Sequence, residues 1–357
     1  MERAAAEEYR ARVRGCLLGG AIGDALGGPV EFDPLAKILG DHPDGVRTFV
    51  AGGPGWPPGT VTDDTQMTLF TAEGMIRAGV RNDLGLGFTL AAVHHAYDRW
   101  LDTQLLHGPS GERDGWLQNE PWLYARRAPG NTCLTALHES RANQQFGQQA
   151  NNDSKGCGGV MRVAPIGLLP PGQANPRWTF DAAAEAAGFT HGHPTGKLAS
   201  GALAVLIRYL VEGQDLSTAV EKTLALLGEY PGHEETSRAI VAAREAPPQA
   251  IEQLGGGWVA EEALAIGLYA ALAHPGPDEM LDALALAVTH SGDSDSTGAI
   301  CGNILGALHG ETALPQALVQ GVEGRDTICR LADDLIAEFS SDKHEHDSER
   351  IRLYPGS

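Results

Sequence analysis

Two acidic clusters stand far apart in the chain, Thr62-Asp63-Asp64 and Asp293-Ser294-Asp295-Ser296. Carboxylates and hydroxyls are hard oxygen ligands, suited to Mg²⁺, Mn²⁺ or Ca²⁺ over softer metals. Each cluster also falls where a helix is expected to begin. There Asp, Ser and Thr act as caps that accept hydrogen bonds from the first free N–H groups. Cap and ligand are both open readings for either cluster taken alone. Alternate acids on a loop can turn towards one cation, and two such clusters together could hold two hard ions sharing a carboxylate. That arrangement orients substrate oxygens and activates water, which suits hydrolysis. An EF-hand is excluded for the second cluster, because Ile304 stands at the twelfth position, where that loop requires Glu.

Weaker signals lie between the clusters. Gly156-Cys157-Gly158-Gly159-Val160-Met161-Arg162 is a glycine-rich turn that could present N–H groups to a phosphate or simply pack tightly. It has neither P-loop nor dinucleotide-fold spacing. Cys157 has no His base beside it in sequence and reads as an inert thiol more readily than as a nucleophile. In Thr190-His191-Gly192-His193-Pro194 no third His or Cys completes a zinc site, so His193 is expected to contact ligand or cap a helix.

The elements that would position these residues are helical. Ala-rich stretches with apolar residues three and four apart recur at about 198–212, 216–228, 236–245, 259–273, 278–289, 297–309 and 325–339. No convincing alternating strand appears, so the expected class is all-α, a compact multi-helix bundle. A single domain over 1–339 is expected, followed by a loosely held polar tail at 340–357. Residues 40–60 are rich in Gly and Pro and read as a loop. The polar span 104–156, with Trp116, Trp122 and Tyr124, also reads as a long loop region. Glycines recur every four residues at Gly15, Gly19, Gly23 and Gly27, and again at Gly298, Gly302, Gly306 and Gly310. Glycine costs a helix about 1 kcal/mol relative to alanine, so two such faces imply close backbone packing. Packed antiparallel, they would bring Glu31, past the end of one helix, near Asp293, before the start of the other.

Composition narrows the function. The 357 residues carry a formal charge of −20 and are 42% hydrophobic. That charge argues against nucleic acid as a partner and requires local help for any phosphate-bearing ligand. Five cysteines without a C-x-x-C pair suggest reduced thiols. No apolar run is long enough to span a membrane, and the charged N-terminus is unlike a secretory signal. A soluble, cytoplasmic, monomeric protein is the expectation.

Four segments taken in order are similar to the ADP-ribosylglycohydrolase family: Gly19 to Phe32, Thr62 to Met67, Gly156 to Leu168 and Ser291 to Gly298. The resemblance runs from about residue 12 to 337. It implies a compact all-α fold around a dinuclear Mg²⁺ or Mn²⁺ centre. The implied metal ligands are Thr62, Asp63, Asp64, Asp293, Asp295 and Ser296, with Glu31 beside them in a catalytic role. The turn Gly156, Cys157, Gly158, Gly159, Val160 and Met161 would hold diphosphate and ribose, with His193 in the same cleft. Gly130, Asn131 and Thr132 match a further substrate-contacting loop.

The activity implied is hydrolysis of the N-glycosidic bond between ADP-ribose and a modified side chain, arginine before others. The base would be Glu31, Asp63, Asp64 or Asp295. The substrate would be an ADP-ribosylated protein or an ADP-ribose-containing small molecule. Cys157 and the Asp-Ser-Asp-Ser-Thr run lean towards the arginine-specific branch. The loop before Gly130 lacks an Asp that some relatives carry, so no role transfers from it. Rival readings are the same chemistry on ADP-ribosyl-serine, O-acetyl-ADP-ribose or a modified nucleobase, a non-catalytic immunity protein that binds a toxin, and a Mg²⁺-dependent phosphohydrolase. The aromatic residues of 104–156 read either as a lid or adenine-stacking wall, or as ordinary packing.

Overall fold

The computed structural model describes residues 3–111, 114–340 and 348–356. Among the described residues there are helices, short 3₁₀ turns and isolated bridges but no strand, so the expected all-α class holds. The seven periodic stretches form the helices Pro194–Val211, Leu216–Leu227, Glu234–Glu245, Ala260–Ala273, Met280–Val288, Ser294–His309 and Arg325–Glu338.

At the centre, the first helix, Arg3–Gly27, packs along Ser294–His309 more extensively than any other pair of helices. The two glycine faces meet antiparallel and almost backbone to backbone. A methyl group placed at Gly19 would lie 2.3 Å from the Gly302 carbonyl oxygen, and one at Gly23 would lie 1.9 Å from that of Gly298. Neither neighbour is a side chain that could turn away. Gly302→Ala, 1.9 Å from the Gly19 carbonyl, is expected to cost about 3 kcal/mol or more in denaturant unfolding. Gly40→Ala is the control. Gly40 lies in the helix Leu35–Asp41 with nothing within 4 Å of the added methyl, so this change should be neutral or stabilise by up to about 1 kcal/mol.

Three expectations change. The run Thr65 to Ala78 reads in sequence as amphipathic, yet it belongs to a helix, Asp63–Asp83, that is buried on every face from Asp63 to Val80. Its polar side chains are tolerated because they pair internally. Glu73 takes Arg77 and Arg99, Gln66 accepts from the Trp100 indole and the Gln104 amide, and Thr71 meets the Tyr97 hydroxyl.

The span 104–156 is not one long loop. It contains the helix Asn131–Asn143, whose C-terminus is closed by Gln144 at φ 54°. Nor is the end of the chain loose where it is described. Tyr354 is buried with its hydroxyl on Asp334. Arg77 and Arg81 donate to the carbonyls of Pro355 and Gly356 at 3.3 and 3.1 Å. Those contacts fasten 348–356 to the bundle; 341–347 lie outside the described residues.

Candidate active site

Helix ends build the site. Gly28–Val30 forms a single 3₁₀ turn after the first helix, and Glu31 follows at φ −50° and ψ 138°. The second acidic element starts at Thr62, whose hydroxyl accepts from the Asp64 N–H at 3.3 Å, so Thr62 is the cap of Asp63–Asp83. Asp293 caps Ser294–His309 by accepting from the Ser296 N–H at 3.2 Å, while Asp295 accepts from the same N–H at 2.9 Å. Because the two glycine helices run antiparallel, Glu31 comes back over the start of the Ser294 helix. Ligand oxygens of Glu31, Asp293 and Asp295 lie within 4.8 Å of one another.

These residues line a cleft of about 750 Å³, together with Asp63, Asp64 and Ser296. Thr62 does not line it; fully buried, it acts through its cap. Gly156, Cys157, Gly158 and Met161 line the same cleft, whereas Gly159 packs on Ala187 and Val160 is buried in the core. The turn offers fewer free donors than expected, since the N–H groups of Gly156 and Cys157 already bond the Ser154 hydroxyl and the Trp258 carbonyl. Gly130, Asn131 and Thr132 also line the cleft at the N-terminus of Asn131–Asn143, an end that favours anions. The Gly130 N–H points to Asp63 at 3.4 Å.

His193 is displaced by its neighbour. Its ring accepts from the Thr195 N–H and caps Pro194–Val211, while His191 lines the cleft. Burial lowers the His191 pKa to about 3, so its ring is neutral. Trp116, Trp122 and Tyr124 are absent from the cleft wall. Trp116 packs edge-on to Tyr354 under the Arg330 guanidinium, Trp122 lies against Gly324, and Tyr124 bonds the Gln118 carbonyl. The aromatic rim is instead Phe32 and Trp258, stacked with centroids 5.1 Å apart. Both are exposed, and Phe32 has a φ of 70°, rare for a bulky side chain.

Sequence reasoning also passed over Asp24. It is fully buried on the first helix and accepts from the Thr62 N–H at 3.0 Å and from the N–H and hydroxyl of Thr65. Its only sequence signal was a charged residue on an otherwise glycine-faced helix.

The cluster is uncompensated. Burial first, and then the charge of Asp295, raises the pKa values of Asp24, Glu31, Asp63, Asp64 and Asp293. Among the described residues, Arg126 is the single Lys or Arg lining the cleft. Asp64 Oδ2 is buried with no hydrogen-bond partner. An unpaired carboxylate oxygen among buried acids is costly unless a cation joins it, and an all-oxygen donor set fits a hard divalent ion. Cys157 is no nucleophile: its thiol donates to Asp293 at 2.8 Å, and burial and that carboxylate push its pKa up.

An all-helical bundle whose helix ends converge on an acidic, oxygen-lined cleft is suited to hydrolysis. The chain belongs to the ADP-ribosylglycohydrolase family, whose model matches residues 5–345. It is similar to an ADP-ribosylarginine hydrolase of Pseudomonas putida (strain GB-1), 26% identical over 92% of this chain and 79% of that one. An ADP-ribosyl-[dinitrogen reductase] glycohydrolase of Rhodospirillum rubrum is 25% identical over 91% of this chain and 96% of its own. A solved structure, an ADP-ribosylglycohydrolase-related protein complex, superposes with a TM-score of 0.69 at 27% identity, covering 94% of this chain and 100% of the other. The protein is thus an enzyme of the glycosyl hydrolase class with ADP-ribosylglycohydrolase activity. No helix among the described residues is long and apolar enough to cross a membrane.

Proposed function

We propose that this enzyme releases ADP-ribose from arginine side chains of modified proteins by metal-dependent hydrolysis of the N-glycosidic bond. The observation that carries the reading is the meeting of Glu31, Asp293 and Asp295 within 4.8 Å, beside Asp63 and Asp64. Arginine is preferred over other linkages because the Pseudomonas putida relative is named for it. Asp63, Asp64, Asp293, Asp295 and Ser296 would hold two Mg²⁺ or Mn²⁺ ions, with Glu31 beside them and Thr62 fixing the turn that presents Asp63 and Asp64. Such ions, when bound, neutralise the acids and polarise oxygen ligands.

The protein's own groups divide the remaining work. The helix start at Asn131, the Gly156–Gly158 turn and Arg126 receive the diphosphate, which the chain's overall acidity would otherwise repel. The surrounding carboxylates stabilise positive charge developing at the anomeric carbon. Glu31, half-buried beside Asp293 and Asp295, takes the proton of the attacking water. The water oxygen bonds the anomeric carbon, the C–N bond breaks with its electron pair going to the guanidine nitrogen, and that nitrogen takes up a proton in place of the one Glu31 received from water.

The deciding experiment incubates the protein with ADP-ribosylarginine and Mg²⁺ beside Asp63→Ala and Asp295→Ala. Free ADP-ribose from wild type, with at least a hundredfold less from each variant, is expected. Equal release by all three would sink the assignment of the site. Release only from serine, O-acetyl or nucleobase linkages would overturn the substrate, and release of inorganic phosphate would overturn the reaction.

A further inference from the structure

A second cavity, of about 420 Å³, lies at the far end of the Asp63–Asp83 helix. Its wall includes Arg77, Arg81 and Arg99 together with Leu86 and Phe88. Arg77 lies fourteen residues along that helix from Asp63, roughly 21 Å at 1.5 Å per residue, so this cavity is separate from the catalytic cleft.

The cavity is electrostatically unlike the rest of the molecule. In a chain of net charge −20, no Asp or Glu among the described residues lines it. Two of its guanidiniums are committed: Arg77 bonds Glu73 at 3.0 Å and Asp114 at 2.8 Å, and Arg99 bonds Glu73 at 2.7 Å. Arg81 has no carboxylate among its hydrogen-bond partners. One of its terminal nitrogens donates to the Gly356 carbonyl at 3.1 Å, and its buried Nε has no hydrogen-bond partner. A guanidinium with no carboxylate partner beside a cavity can take an oxyanion through its terminal nitrogens, because the planar guanidinium matches carboxylate and phosphate geometry. The cavity is larger than a bare inorganic ion needs and falls in the size range of small-molecule sites. The rings and alkyl groups of Phe88, Leu86 and Ala92 would face the remainder of the ligand.

We infer that the cavity formed by Arg77, Arg81, Arg99 and Phe88 is a binding site for a small organic oxyanion, a phosphate or carboxylate borne on a compact apolar body. Arg81, which has no carboxylate partner, supplies the guanidinium that meets the oxyanion, while Arg77 and Arg99 complete the wall, held in place by Glu73 and Asp114. The apolar wall selects against inorganic phosphate.

The test is calorimetric titration of the full chain with phenyl phosphate, benzoate, inorganic phosphate and phenol. Saturable binding of phenyl phosphate or benzoate is expected, at least tenfold tighter than inorganic phosphate or phenol; the tighter of the two names the headgroup. Arg81→Gln should weaken it tenfold or more. Ala92→Phe, which fills the cavity without removing charge, should abolish it. Asp295→Asn, in the other cleft, should leave it unchanged. Absence of saturable binding, affinity unaffected by both Arg81→Gln and Ala92→Phe, loss in Asp295→Asn, or no gain from the phenyl group would each overturn the inference.

Discussion

Mg²⁺ or Mn²⁺ added to chelator-treated protein at pH 8 is expected to raise the melting temperature by about 5 °C or more. Asp295→Asn is expected to abolish that response, yet to melt no lower than wild type in chelator. The reason is the sign of the cluster's energy. Asp24 is pushed up to about 7 and Glu31 to about 10, by burial and by the charge of Asp295. Asp63, Asp64 and Asp293 rise for the same two reasons. In the metal-free fold these carboxyls keep protons that the unfolded chain has released, so their contribution falls as pH rises from about 4 through those folded values. Metal-free protein should therefore gain stability from pH 8 towards pH 5. A divalent ion removes the penalty where it is greatest, at high pH, and its benefit should shrink on acidification. Asparagine at 295 removes the charge common to all five shifts. Melting scans at pH 5 and 8, with chelator and with each ion, check this. A sharp fall in the melting temperature of Asp295→Asn in chelator, or a wild type indifferent to both ions, would show that the acids are matched within the protein.

Much of that cluster was legible in sequence, and for a physical reason. Glycine every fourth residue is costly in a helix, so Gly15 to Gly27 and Gly298 to Gly310 had to be explained by backbone contact. Antiparallel contact then places Glu31 by Asp293. The structure has that packing, with Gly23 against Gly298 and Glu31 within reach of Asp293 and Asp295. Residues whose neighbours come from remote segments were not legible. Asp24 meets Thr62 and Thr65 only because the first and Asp63 helices cross. His191 and His193 are equally polar and two residues apart; the turn before Pro194, which makes His193 the cap, decides which one lines the cleft. Trp116 and Trp122 read as a possible lid because their partners Tyr354, Arg330 and Gly324 lie two hundred or more residues further along the chain. The true rim, Phe32 and Trp258, joins two loops with no shared pattern.

Asp24→Ala is expected to cut hydrolysis at least a hundredfold and to lower stability by about 3 kcal/mol or more, although Asp24 does not line the catalytic cleft. Its carboxylate takes the N–H groups of Thr62 and Thr65 at 3.0 Å each, and the Thr65 hydroxyl as well. An acid from one helix thus caps the start of another, where the dipole favours negative charge. Alanine would leave three buried donors unmet, each worth about 1–3 kcal/mol. The first turn would have to move to recover partners, and Asp63 and Asp64 lie in that turn. Because the damage passes through their position, the variant should need more Mg²⁺ for half-maximal activity, beyond any fall in kcat at saturating metal. Asp24→Asn keeps the shape and one acceptor oxygen, and the Thr65 hydroxyl can reverse to accept from the amide. It should recover part of both the stability and the metal response. Urea unfolding and a Mg²⁺ titration of the hydrolysis rate separate the cases. Lost stability with an unchanged Mg²⁺ requirement would make Asp24 a packing residue only. Wild-type stability and rate in Asp24→Ala would remove it from the account of how this helix start is held.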